Sequence, residues 1–131
     1  MLTSRFKILD SLCKTYYENQ ATSVLHKKIG ESVYNLISDF SVGSSKIEEL
    51  IQLVNQTHDN IYTDFHRELP SLKESDYLLF LYCALGFSSS TIALFLKEEN
   101  VNPVYYRKKR LKAKIKLLDS ANTGRFLDVL N

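Results

Sequence analysis

Residues Ser71 to Leu118 read SLKESDYLLFLYCALGFSSSTIALFLKEENVNPVYYRKKRLKAKIKLL, and their apolar spacing decides the fold class. Tyr77, Leu78, Phe80, Leu81 and Leu85 recur with the period of a helix carrying a wide apolar face, and Gly86 supplies its left-handed stop. Ahead of them Leu72 sits where a hydrophobic staple would, and Glu74 and Asp76 place negative charge in the first turn, where the helix dipole favours it; Lys73 is a poor N-cap. Ser88 is a good N-cap for a second helix carrying Ile92, Ala93, Phe95 and Leu96. Glu98 to Val101 form a turn. Asn102 is then expected to cap a third helix with Pro103 in its first turn, the place where proline is tolerated.

That third helix, spanning about residues 103–118, carries the chemistry. Between Pro103 and Leu118 there are seven basic residues (Arg107, Lys108, Lys109, Arg110, Lys112, Lys114 and Lys116) and no acidic one. At about 100° per residue, Val104, Leu111, Ile115 and Leu118 fall in one narrow arc, the seam that packs on the preceding helices. Tyr106, Lys109, Arg110 and Ala113 lie opposite, with Tyr105 and Lys116 beside them, while Arg107, Lys108, Lys112 and Lys114 border the seam. A helix buried on one side and cationic elsewhere fits the major groove of double-stranded DNA, about 12 Å wide and edged by phosphates. The early residues of such a recognition helix reach base edges and later cations meet the backbone. Tyr105, Tyr106, Lys109 and Arg110 are therefore the base-facing candidates; Lys112, Lys114 and Lys116 are the phosphate-facing ones, and Arg107 and Lys108 complete the expected DNA-binding set.

Composition agrees with a compact helical chain. An apolar fraction of 44% with 24% charged residues is that of a soluble globular protein, and only four Gly and two Pro leave little material for the turns of a β-sandwich or barrel. The net charge of +2 hides a division. Residues 1–102 hold nine Lys and Arg against thirteen Asp and Glu, a net of −4, whereas residues 103–131 hold eight against two, a net of +6. A basic end on an acidic body points to a polyanionic partner, nucleic acid ahead of an anionic membrane surface. The Val104–Leu111–Ile115 stripe is narrow and has no Trp or Phe, which suits a packed helix better than one inserted in lipid.

Outward from this stretch, the first half of the chain is also helical in pattern. Leu2, Phe6, Leu9, Cys13 and Tyr16 make one stripe, and Leu25, Ile29, Val33, Leu36 and Phe40 make a second, closed by a loop over residues 41–45. Ser45 and Glu48 have the spacing of a capping box. Ile47, Leu50, Ile51, Val54, Ile61, Phe65 and Leu69, with His58 on the same stripe, predict one long helix ending before Pro70. So long a stripe is a candidate dimer face, which gives an expected homodimer through residues 1–70. Pro70–Ser71 is the expected boundary: a helical hairpin or bundle over residues 1–70, then a helix-turn-helix domain over residues 71–131. Phe126, Leu127 and Leu130 predict a short closing helix.

Several motifs also resemble a known family. Leu85-Gly86-Phe87-Ser88, Thr91-Ile92-Ala93, Leu96, Val104-Tyr105 and Arg107-Lys108-Lys109-Arg110-Leu111 look like the LuxR-type helix-turn-helix, which is akin to region four of bacterial sigma factors. The whole chain resembles the C-terminal cytoplasmic part of Bacteroidetes transcriptional regulators, in which tetratricopeptide repeats and a membrane span precede a helical coil and the DNA-binding unit. Arg5-Phe6, Leu9, Leu12-Cys13 and Tyr16-Tyr17 match its opening, and Arg67-Glu68-Leu69-Pro70 with Leu72 matches the junction. The turn Glu98-Glu99-Asn100-Val101 departs from the family by lacking its Ile-Ser, and Lys109 stands where a small hydroxyl residue is common. The resemblance implies sequence-specific DNA binding in transcription control, as the output end of a larger sensor in the cytoplasm. A protein-contact module for RNA polymerase or the sensor itself is the alternative.

Other chemistries find little support. Cys13 and Cys83 lie far apart within apolar helical patterns and read as reduced core thiols. His58 and His66 could share a helix face, yet no third ligand accompanies them, so no metal or other cofactor is expected. Ser88-Ser89-Ser90 lacks the context of a nucleophile and reads as a helix cap, and Glu98-Glu99 is a carboxylate pair in a turn without a pocket. No phosphate-binding glycine loop is present, and no enzyme is expected. The opening residues scatter charges among apolar positions, unlike a secretory core, and no run reaches the roughly 18 apolar residues of a membrane span.

Overall fold

The computed structural model describes Asp10, Ser11, Lys14 and residues 37–131, and every regular element among them is an α-helix. After a helical turn over residues 37–40 come α1 (Ile47–Thr57), α2 (Ile61–Glu68), α3 (Glu74–Ala84), α4 (Ser89–Phe95), α5 (Asn102–Lys116) and α6 (Thr123–Leu130). The two stripes expected over Leu2–Tyr16 and Leu25–Leu36 lie outside the described residues.

The single long helix expected over Ile47–Leu69 is two helices. α1 closes with Asp59 and Asn60 in the left-handed region, at φ 55° and 59°, a conformation that Asp and Asn tolerate better than most side chains. The Asn60 N–H donates to the Asn55 carbonyl at 2.9 Å, a Schellman-type closure with aspartate where glycine is usual. Asn55 then starts the next helix: its side-chain oxygen accepts from Tyr62 N and Thr63 N at 3.0 and 3.2 Å, and its amide donates to Thr63 Oγ1 at 2.9 Å. Those are the first-turn N–H groups that a helix leaves unmet. The stripe continued through the break because Leu50 and Val54 on α1 and Ile61 and Phe65 on α2 all enter one core. Ile47, Ile51 and Leu69 of the same stripe are half-buried at the edge of this core. The Ser45–Glu48 capping box does not form: α1 has no side-chain cap, and the turn before it is held by Ser44, whose Oγ accepts from Lys46 N at 3.1 Å and donates to the Asp39 carbonyl at 2.7 Å.

Helix α3 is the axis of the fold. Tyr77 to Tyr82 are buried without interruption, as expected of a helix surrounded on all sides. One flank meets α2 and α6, where the Phe65 and Phe80 rings stack at 3.8 Å and Phe126 sets its edge against both. The other meets an aromatic group of Phe40, Phe87 and Phe95, and the Tyr82 hydroxyl donates to the Phe40 carbonyl. Burial pushes the Tyr82 phenol well above the usual tyrosine range. At the Pro70 corner Tyr77 bridges the two segments, its hydroxyl donating to the Leu69 carbonyl and accepting from Leu72 N. The core therefore runs across Pro70.

The expected closing helix is present as α6, with Phe126 and Leu130 buried. A cation fastens it. Arg125 donates to the carbonyls of His58 and Asp59 at 3.2 and 3.0 Å, capping the end of α1, and pairs with Asp64 at 3.4 Å. Glu68 accepts from the Asn122 amide at 2.7 Å, and hydrogen bonds from Ser120 and Asn122 hold its carboxyl below the usual range.

Candidate nucleic-acid interface

Three local devices set the position of α5. First, α3 ends in a Schellman motif at Gly86, φ 88°, with Phe87 N donating to the Tyr82 carbonyl and Gly86 N to the Cys83 carbonyl. Second, Ser88 caps α4 as expected, its Oγ accepting from Thr91 N at 3.4 Å. Asp10 joins this cap from far away in sequence: its carboxylate accepts from Ser88 N at 2.7 Å and from Ser88 Oγ at 2.9 Å. Third, α4 ends with Lys97 in the left-handed region, φ 58°, and Glu98 N and Lys97 N close on the carbonyls of Ala93 and Leu94. The chain then turns into α5, where Asn102 is not the cap that its position implied. It is the first helical residue, and its N–H donates to the Asn100 side chain at 2.9 Å, while Pro103 occupies the first turn.

The seam expected from periodicity is the seam observed. Val104, Leu111 and Ile115 are buried, Leu118 is half-buried, and α5 lies against α3, α4 and α6. Opposite, Tyr105 and Tyr106 stand 54% and 68% exposed. Lys109, Arg110, Lys114 and Lys116 are exposed as well, and Lys112 is half-buried. No acidic residue on α5 offsets these charges.

Two of the expected DNA-binding residues turn towards the protein. The Arg107 guanidinium spans two elements, donating to Glu98 at 2.9 Å and to the Ser75 hydroxyl. Lys108 donates to Ser89 Oγ at 3.1 Å. Both are half-buried, so the solvent face of α5 is carried by the tyrosines and the remaining cations. Beneath α5 the thiol of Cys83 is pushed up to about 11 by burial, against the pull of Lys108 and Lys112, and is therefore a neutral core group.

One feature escaped the reading of the sequence. Lys73, notable there only as a poor N-cap, faces α5 across a cleft of about 340 Å³ at the start of α3, lined also by Ser71, Ser75, Asp76, Arg107, Arg110 and Lys114. Contact between residues this far apart has no local signature. His58 and His66 do not line this cleft: the His66 ring stacks on Tyr77 at 4.2 Å, and among the described residues no three His, Cys, Asp or Glu side chains gather into a metal-sized group. No described helix is long and apolar enough to cross a membrane.

Comparisons with protein-family models, with curated proteins and with solved structures gave no match.

Proposed function

We propose that this chain binds double-stranded DNA, with α3, α4 and α5 acting as a helix-turn-helix of LuxR-like type and α5 as the recognition helix, and that it regulates transcription as a sequence-specific reader. One observation carries the reading. The face of α5 turned away from the core exposes Tyr105, Tyr106, Lys109, Arg110, Lys114 and Lys116, while Val104, Leu111 and Ile115 fix the opposite face. A rigid helix that concentrates unneutralised positive charge beside two exposed aromatic rings has the chemistry to enter a groove, meet base edges and contact flanking phosphates. The proposal extends to a homodimer through residues 1–70 and to a place in the cytoplasm as the output end of a larger sensor. No catalytic group or cofactor is part of it.

The test is binding to random and genomic duplex fragments across a salt series. Each phosphate contact contributes a slope of roughly −0.9 in log K against log salt, so a steep slope with enrichment of a short sequence is the expected result. Lys109→Glu with Arg110→Glu should abolish it. Equal binding by that variant and the wild type would sink the reading.

A second reading, contact with another protein such as RNA polymerase, has its own observation. Leu117 is 86% exposed beside a groove formed by Leu69, Pro70, Leu72 and Leu118. The same double variant separates the two, since a contact through this groove or through residues 1–70 survives the charge reversal.

A further inference from the structure

We propose that the cleft between the start of α3 and the middle of α5 is a phosphate seat that receives a backbone phosphodiester of the duplex; this rests on the DNA reading above. Lys73 lies on one wall, and Arg110 and Lys114, one turn apart on α5, lie on the other. Among the described residues these three head groups have no carboxylate or hydrogen-bond partner. Arg107 also lines the cleft, but Glu98 already balances it, and Asp76 offsets one further charge. Two positive charges are left uncompensated along the cleft.

The donors match a tetrahedral oxyanion. They line the cleft from two different helices, an arrangement that suits a group with several acceptor oxygens better than a flat carboxylate. The hydroxyls of Ser71 and Ser75 line the same space, and Ser75, an acceptor towards Arg107, keeps its own O–H for donation. Lys73 provides no side-chain cap at the head of α3; Asp76 N turns back to the Lys73 carbonyl at 3.0 Å, which leaves the Glu74 and Ser75 N–H groups, in a turn that also carries the Glu74 and Asp76 carboxylates, for an external acceptor. Arg110 connects the cleft to the exposed face of α5. With α5 in a groove, its flank faces a strand of the backbone, and the seat fixes the helix in register.

The test compares Lys73→Gln with the wild type in duplex binding across a salt series, with Lys46→Gln, an exposed site before α1, as the control. Lys73→Gln should weaken binding to random and preferred duplexes alike and flatten the salt slope by about 0.9, one lost phosphate contact, while Lys46→Gln changes neither. In parallel, inorganic phosphate titrated into the full chain should shift the Glu74 and Ser75 amide resonances saturably in the wild type and not in Lys73→Gln. An unchanged slope in Lys73→Gln alongside a flattened one in Lys116→Gln, a phosphate-facing site outside the cleft, overturns the seat and leaves the DNA reading standing. Absence of duplex binding by the wild type overturns the DNA reading and with it the duplex as occupant. Unmoved amides under phosphate overturn the cleft as an oxyanion site, whichever way the DNA experiment falls.

Discussion

Arg107 shows how a side chain's partners change its meaning. By sequence it is one of a run of cations; in the fold its guanidinium ties the turn before α5, through Glu98, to the second residue of α3, through Ser75. A fork that meets two partners at fixed angles is not reproduced by the single ammonium of lysine. Arg107→Lys should therefore lower stability, and Arg107→Ala should lower it by about 1–2 kcal/mol, the scale of a half-buried charged hydrogen-bonded pair. Chemical denaturation measures the loss. In DNA binding, Arg107→Ala should reduce affinity by loosening α5 and leave the salt slope near that of the wild type, whereas Arg110→Ala flattens it. A flattened slope in Arg107→Ala would show that this arginine leaves Glu98 to meet a phosphate.

At the scale of elements, three helix ends among the described residues use left-handed residues, one of them glycine: Gly86 after α3, Asp59 after α1 and Lys97 after α4. A Cβ built on Gly86 meets no atom within 4 Å, so its constraint is backbone conformation and not space. Gly86→Ala should cost about 1 kcal/mol on that ground alone. Lys97 already bears such a cost, at φ 58°, and Lys97→Gly should raise stability by up to about 1 kcal/mol, reduced by the greater freedom glycine gives the unfolded chain. Thermal melting of the two variants reads both effects, and they should have opposite signs. Melting points shifted the same way would mean that the end of α4 is held by its contacts and not by its dihedrals. These closures also decide what a sequence can reveal. Gly86-Phe87-Ser88 announces a stop and a start because glycine, an apolar residue and a capping hydroxyl each have a local preference. His58-Asp59-Asn60 breaks a helix just as firmly without glycine or proline, and the unbroken apolar period across it concealed the corner.

In the molecule as a whole, stability and charge are distributed differently. The core is shared: Phe65, ahead of Pro70, is fully buried against Phe80 and Phe126, both of which follow it. Phe65→Ala should cost about 3–5 kcal/mol and lower the melting temperature of the described helices in one cooperative transition. Two separate transitions by circular dichroism, with α5 unaffected, would show that the segments on either side of Pro70 fold independently. Charge, in contrast, is gathered at one end, with a net of +6 over residues 103–131 against −4 over the rest. The sequence by itself determined that division, the all-helical class, the buried seam of α5 at Val104, Leu111 and Ile115, the stop at Gly86 and the cap at Ser88. Each follows from composition or from preferences acting within a few residues. Only the tertiary structure decided that Arg107 and Lys108 face inward, that Asp10 completes the cap of α4, that Arg125 clasps the end of α1 and that Lys73 meets Arg110 and Lys114 across a cleft. Those pairings join residues up to 78 positions apart, and no local preference encodes a contact that exists only once the core has brought its helices together.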